Sequence, residues 1–290
     1  LPEIAIQVQG EQDGVLNDGD FVSFYGVGTK GWSDENATHL NLYSTDAYYY
    51  ITYGGALGKR MQNYTEPTGD AVVTYNTYTA RVFHEQDLVN IAQLSRKWFG
   101  EDFSSRFQLT FNFQMPLLDS SKPVVFGINV GAVSAGQTVF SYTVNGQPTG
   151  SKTLPAKGNG LGWEGYYKQE INLSGENNSV QVNFNNSGVP SAQGYVDFVS
   201  LDYSKHLAGY NKQFQFSFKD AVSNIGVGAF QIQNAGAITQ LWDVSDPYNV
   251  TFKANTGSTV QLKMPLGVEK KFLAVDQNDY YVPTAIANSK

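Results

Sequence analysis

The sequence predicts a mainly β protein made of several small β domains, one of them a jelly-roll-like β-sandwich, with at most one or two short helices. Three observations carry that reading. Apolar and polar residues alternate along short runs, as where Phe107, Leu109, Phe111 and Phe113 interleave with Gln108, Thr110, Asn112 and Gln114. A period of two lines one face of a strand with apolar side chains. Glycine- and Asx-rich turns punctuate these runs, as at Asn145-Gly146 and over 175–178. No period of the roughly 20–50 residues typical of solenoids and propellers recurs, which disfavours both.

Residues 1–60 are expected to form a first β unit. Ile4, Ile6 and Val8 alternate with Ala5, Gln7 and Gln9, and a second strand runs from Phe21 to Tyr25. Between them Asp13-Gly14 and the run Asn17 to Asp20 supply turn chemistry, because glycine takes positive φ and Asx side chains bond their own backbone. A third strand is expected from Ala47 to Tyr53, closed by Gly54-Gly55. Residues 61–105 read as a linker: polar and small residues dominate up to Thr74. Within it, Leu88, Ile91 and Leu94 recur at threes between Val82 and Phe99, which predicts a short helix that Gly100 would stop.

The sandwich is expected over 106–208, with strands near 107–113, 124–130, 139–144, 167–173, 180–184 and 195–203. A last β region follows over 209–290. There Phe214, Phe216 and Phe218 alternate with Gln213, Gln215 and Ser217, and further apolar runs lie near 229–233, 238–242, 250–253, 260–263 and 272–275.

Composition removes several function classes. The 290 residues carry Lys+Arg 19 against Asp+Glu 26, a net charge of −7, so no basic stripe is available to neutralise phosphates and nucleic acid is not an expected partner. Cysteine is absent. Zinc sites built on thiolates, disulfides and a cysteine nucleophile are therefore excluded within these residues. The longest apolar run, Pro123 to Val133, is broken by Gly127, Asn129 and Gly131 and falls short of the ~20 residues that span a bilayer. The chain starts at Leu1 with no basic, apolar leader, and is read as a segment of something longer.

Local motifs point to binding more than to catalysis. Gly26, Gly28 and Gly31 match a dinucleotide-binding spacing, but no helix pattern follows to aim its N-terminus at a pyrophosphate, so a glycine-rich loop is the reading. His39, His84 and His206 belong to no metal or nucleophile pattern; His84, beside Glu85 and Asp87, reads as a packed or capping histidine. Ser134 lacks the first glycine of a nucleophile elbow. No catalytic residue is expected. Asp13, Asp18 and Asp20, with Asn17, offer hard oxygen ligands for calcium, although their spacing is not that of an EF-hand and turn formation also accounts for them. Asp243 and Asp246 form a second such pair. No other cofactor is expected. Trp163, Tyr166 and Tyr167 follow the turn at 158–160 and form the candidate binding platform, able to stack on sugar rings or grip a peptide if not spent in the core. The sequons at Asn36, Asn63, Asn177 and Asn249 read as chance in an Asn-rich chain.

A longer set of motifs adds a resemblance. The run DGDFVSFYGVG from Asp18 to Gly28 with Trp32, then YSTD at 43–46 and YYYI at 48–51, is similar to the N-terminal region of type IX secretion system sortases. That family is related to the gingipain-type cysteine peptidases of family C25. HEQDLVN at 84–90, RKWFGE at 96–101, YVDFVSLDY at 195–203, LWDVSDP at 241–247 and FLAVD at 272–276 continue the resemblance in order. It implies non-catalytic β domains that scaffold a peptidase domain downstream in the same chain, at the extracellular face of the bacterial outer membrane. The whole protein would then resemble a surface transpeptidase that removes sorting signals from secreted cargo and attaches the product to lipopolysaccharide. Implied partners are type IX cargo or secretion-system proteins, with glycan or lipopolysaccharide as further candidates. The alternative function is a carbohydrate-binding module of a secreted bacterial protein.

Overall fold

A computed structural model describes residues 2–91 and 97–286. Strands are numbered β1 to β20 along the chain, and the fold divides into two compact units, each discontinuous in sequence.

One unit comprises Leu1–Val27, Tyr48–Tyr78 and His206–Lys290. Its strands are β1 (Ile6–Gln9), β2 (Phe21–Phe24), β5 (Gln62–Asn63), β6 (Ala71–Tyr75), β15 (Phe214–Ser217), β16 (Val227–Ile232), β17 (Ile238–Asp243), β18 (Thr251–Ala254), β19 (Val260–Pro265) and β20 (Lys271–Asp276). They form a five-stranded sheet ordered β15-β20-β17-β18-β5, a three-stranded sheet β19-β16-β6 and the hairpin β1-β2. Most pairs are antiparallel, but β6 runs parallel to β16 and β5 parallel to β18. The alternating phenylalanines of β15 explain the core: Phe216 meets Phe230 edge-on at 5.0 Å and stacks near Phe272 at 5.8 Å. A second cluster gathers Ala5, Met61, Trp242, Val244, Val250 and Val275.

The other unit comprises Gly28–Ala47 and Thr79–Lys205. Its strands are β3 (Lys30–Ser33), β4 (Thr38–Leu40), β7 (Thr77–Glu85), β8 (Gln108–Gln114), β9 (Val124–Val133), β10 (Thr138–Val144), β11 (Gln147–Leu154), β12 (Trp163–Ile171), β13 (Asn177–Asn185) and β14 (Gln193–His206), save that Thr77, Tyr78 and His206 fall in the other unit. Two four-stranded sheets, β11-β10-β13-β8 and β12-β9-β14-β7, give the strand order of a jelly roll. Between them lie Phe111 and Phe113 of β8, Phe126, Ile128 and Val130 of β9, Phe140 and Tyr142 of β10, and Val180 and Val182 of β13. β3 and β4 form a separate hairpin.

Three local expectations are corrected. The helix expected over Val82 to Phe99 is not formed where its start is described: residues up to Glu85 belong to β7, and Val89 bridges Phe99. Leu94, with the rest of 92–96, lies outside the described residues. Over 77–85 the alternation that puts Ala80 and Val82 against the core overrides a stripe of threes, and Leu88 is exposed. The helical turns among the described residues are two short 3-10 turns, Glu11–Asp13 and Lys219–Ser223. The strand expected from Ala47 to Tyr53 joins no ladder either. Its run of Tyr48, Tyr49, Tyr50 and Ile51 has strand propensity but no polar alternation to choose a buried face. Only Tyr49 is anchored in its unit, its hydroxyl donating to the Val27 carbonyl at 2.9 Å while Tyr48, Tyr50, Ile51 and Tyr53 stay exposed. Residues 71–85, within the stretch read as linker, are strand through β6 and β7.

Candidate functional site

The outer face of the sheet β12-β9-β14-β7 carries the densest set of functional side chains. Strand β9 buries Phe126, Ile128 and Val130 inward, so Gly127, Asn129 and Gly131 face outward. These are the positions that interrupt the longest apolar run. A Cβ on Gly127 would sit 2.7 Å from the Tyr166 hydroxyl and 3.0 Å from the Ser200 hydroxyl, and one on Gly131 would sit 2.5 Å from the Phe99 ring. Glycine is needed at both because aromatic side chains lie across the backbone there.

Between the two glycines Asn129 ties a polar network. Its Nδ2 donates to Asp197 Oδ2 at 2.9 Å and to Glu164 Oε2 at 3.3 Å. Lys97 Nζ lies 2.6 Å from the same Asp197 oxygen. Asp197 reaches this face because β14 bulges between Val196 and Phe198. Burial pushes its carboxyl up to about 6, against the opposing pull of Lys97 and Asn129. Glu85 behaves oppositely. Burial pushes it up, but hydrogen bonds from His39 Nδ1 (2.7 Å), Thr38 Oγ1 (2.5 Å) and the His39 backbone N–H (2.7 Å) outweigh that and hold it below the usual carboxylate range. His39 is fully buried and stacks on Phe83 at 4.0 Å, so it is a packed histidine. His84 pairs with Glu101 at 2.6 Å.

Arg81 on β7 and Asp202 on β14 form a bidentate pair, Nε and Nη2 donating to the two carboxylate oxygens at 2.5 and 2.7 Å. The guanidinium sits 5.0 Å from the Trp32 ring centroid, and Trp32 Nε1 donates to Asp34 at 2.6 Å. Tyr166 belongs to the same group: burial raises its hydroxyl pKa while Arg81 pulls it down and Asp202 pushes it up.

The three aromatics singled out by sequence are separated by the strand pleat. Tyr166 points outward and stays 49 % exposed. Tyr167, next along β12, points inward, its ring 5.1 Å from Tyr142 and its hydroxyl donating to the Thr149 carbonyl at 2.9 Å. Trp163 is 51 % exposed and donates from Nε1 to the Ala156 carbonyl. In the acidic loop, Asp13 accepts from the Val15 N–H and Asn17 Nδ2, Asp20 accepts from the Asn17 N–H, and Asp18 is exposed in the turn. These carboxylates close their own loop. Among the described residues no group of three or more His, Cys, Asp or Glu is placed to hold a metal ion. Sequence reasoning did not single out Arg81, and it quoted Trp32, Asp197 and Asp202 only within family motifs, without a role at a site. The available signal was a charged residue at an outward position inside an apolar strand, as in the run from Tyr195 to Tyr203.

As a sequence, the chain matches no protein-family model and no curated protein. As a fold it matches solved structures. The CBM35 of Cellvibrio japonicus Abf62 covers 42 % of this chain and 92 % of its own at 12 % identity and TM-score 0.28. A family 35 carbohydrate-binding module from Clostridium thermocellum covers 43 % and 90 % at 11 % identity and TM-score 0.27. Scores this low carry no argument. Dimeric latent PorU from Porphyromonas gingivalis matches over 94 % of this chain at TM-score 0.71 and 16 % identity, the match covering 27 % of PorU. The chain thus has the fold of a stretch of PorU that is about a quarter of that protein's length.

Proposed function

We propose that this chain is the non-catalytic, β-rich N-terminal portion of a type IX secretion sortase related to the family C25 peptidases. It scaffolds a peptidase domain further along the same chain and contacts cargo or partner proteins at the extracellular face of the outer membrane. The observation that carries the reading is the match of 94 % of the chain to part of PorU, which accompanies family motifs in the same order along the sequence. A chain with no cysteine cannot supply the thiolate of a cysteine peptidase, so the chemistry belongs elsewhere in the protein. A carbohydrate-binding module using Trp163, Tyr166 and Tyr167 as one platform has less support, because Tyr167 packs inward.

Contact with an extended cargo segment has a natural place on β8. It ends its sheet, pairs with β13 without a bulge, and contains no charge, proline or glycine to block a further strand. Backbone bonds from Phe184 N–H to Phe107 and from Met115 N–H to Glu176 fix the phase of that ladder. The odd-numbered residues bond β13, and Gln108, Thr110, Asn112 and Gln114 turn their backbone groups to the open side. Strand addition there uses main-chain bonds and needs no catalytic group.

Thr110→Pro removes one of those outward N–H groups while sparing the ladder to β13. It is expected to weaken binding of a type IX cargo C-terminal sorting domain by tenfold or more in biolayer interferometry, with the thermal midpoint nearly unchanged. Absence of binding by the unaltered chain, or equal binding by the variant, would count against the cargo-contact role.

A further inference from the structure

We infer that the outer face of β12-β9-β14-β7 holds a sugar-binding subsite, in which Tyr166 stacks on a neutral pyranose ring and the Arg81–Asp202 pair bonds its hydroxyls. The inference rests on geometry and is independent of the sortase reading.

Tyr166 is preset as a platform. The hydroxyl end of its ring lies close over Gly127, where a Cβ would come within 2.7 Å of the hydroxyl oxygen and 3.4 Å of the carbon bearing it. The hydroxyl end of the ring is thus held against the backbone while 49 % of the residue remains open to water. A flat aromatic surface fixed in advance loses little side-chain entropy on binding. Sugar rings present axial C–H groups to such a surface.

The flanking groups restrict the charge of the ligand. Arg81 and Asp202 satisfy each other's charge through two parallel bonds, with side chains 30 % and 24 % exposed. A charged ligand would have to compete with that pair. The remaining guanidinium N–H groups and carboxylate lone pairs still offer donors and acceptors side by side, and a sugar hydroxyl uses both. Trp32 supports the pair from beneath the guanidinium, and its own indole N–H is taken by Asp34, so it positions Arg81 and leaves Tyr166 as the stacking surface. Tyr166, Arg81 and Asp202 each keep part of their surface in water, which suits contact with the side of a polysaccharide chain.

Affinity electrophoresis of the full chain through native gels containing xylan, laminarin or mannan tests the inference, with gelatin as a peptide control. Retardation by at least one polysaccharide and none by gelatin is expected. Tyr166→Phe is expected to bind within about twofold of the unaltered chain. Tyr166→Leu still covers Gly127 but lacks the flat ring, and should bind about tenfold more weakly. Should the leucine variant fail to fold, Arg81→Met supplies the second measurement, again with a loss of several-fold. Migration unaffected by all three polysaccharides, retardation by gelatin alone, or equal retardation of the tyrosine, phenylalanine and leucine forms would overturn it.

Discussion

Phe126→Ala is expected to lower the unfolding free energy of the sandwich unit by about 3–5 kcal/mol. Phe126 has no exposed surface and lies on β9, with β12 and β14 hydrogen-bonded on either side. Its ring meets Tyr142 at 5.7 Å and Tyr167 at 6.0 Å. A strand paired on both edges cannot collapse into the space a lost phenyl ring leaves, so the transfer and cavity costs add. Tyr50→Ala is the contrasting change, since Tyr50 is 74 % exposed in a segment outside every ladder, and a shift within about 0.5 kcal/mol is expected. Urea titrations followed by tryptophan fluorescence read both. A cost below about 1 kcal/mol for Phe126→Ala would mean that the jelly-roll interior is not packed as described.

The same strand shows how far the sequence could be read. Strict alternation in β8 and β13 pointed to buried Leu109, Phe111, Phe113, Val180 and Val182, because a two-residue period has one physical solution on a half-buried sheet, but Phe107 of the same run lies before β8 and is exposed. β9 was harder. Its inner face is apolar, while its outer face is covered by Tyr166, Phe99 and the Asn129 network, so it reads as a nearly continuous apolar run with unexplained glycines. Which strands pair was not legible at all. Residues 71–75 run parallel to 227–230, some 150 positions apart, and nothing local announces such a partner. The proposed binding face was half visible for the same reason. Tyr166 stood out by its aromatic neighbours, but Arg81 and Asp202 come from strands distant in sequence and meet only once the sheet is assembled. Tyr167, adjacent in the chain, lies on the other face because side chains alternate.

Asp197→Asn is expected to make the sandwich unit more stable at neutral pH and to flatten its pH dependence. The Asp197 carboxyl is 2 % exposed, and burial raises it from the ordinary 3.8 to about 6. A carboxyl whose folded pKa is raised binds more protons in the folded state than in the unfolded one between those two values, so its contribution to stability falls as pH rises from about 4 to about 6. Above that window the ionised group costs about 3 kcal/mol, at 1.36 kcal/mol for each unit of displacement. The Lys97 contact at 2.6 Å offsets desolvation only in part. Asparagine keeps the shape and the bond to Asn129 without the charge. Lys97, whose side chain is 28 % exposed, can then turn to water and is not stranded. Glu85 and Glu101, held below the ordinary range, contribute the opposite slope in both proteins. Glu85 also repels the Asp197 carboxylate, so the difference between variant and parent reads Asp197 together with the relief of that repulsion. Urea unfolding from pH 4 to pH 8 should show the two nearly equal at the acid end and the asparagine form ahead by about 1–3 kcal/mol at the alkaline end. A variant less stable than its parent at pH 8 would mean that the Lys97–Asp197 pair outweighs its desolvation and that the bulge in β14 is held by the charge itself.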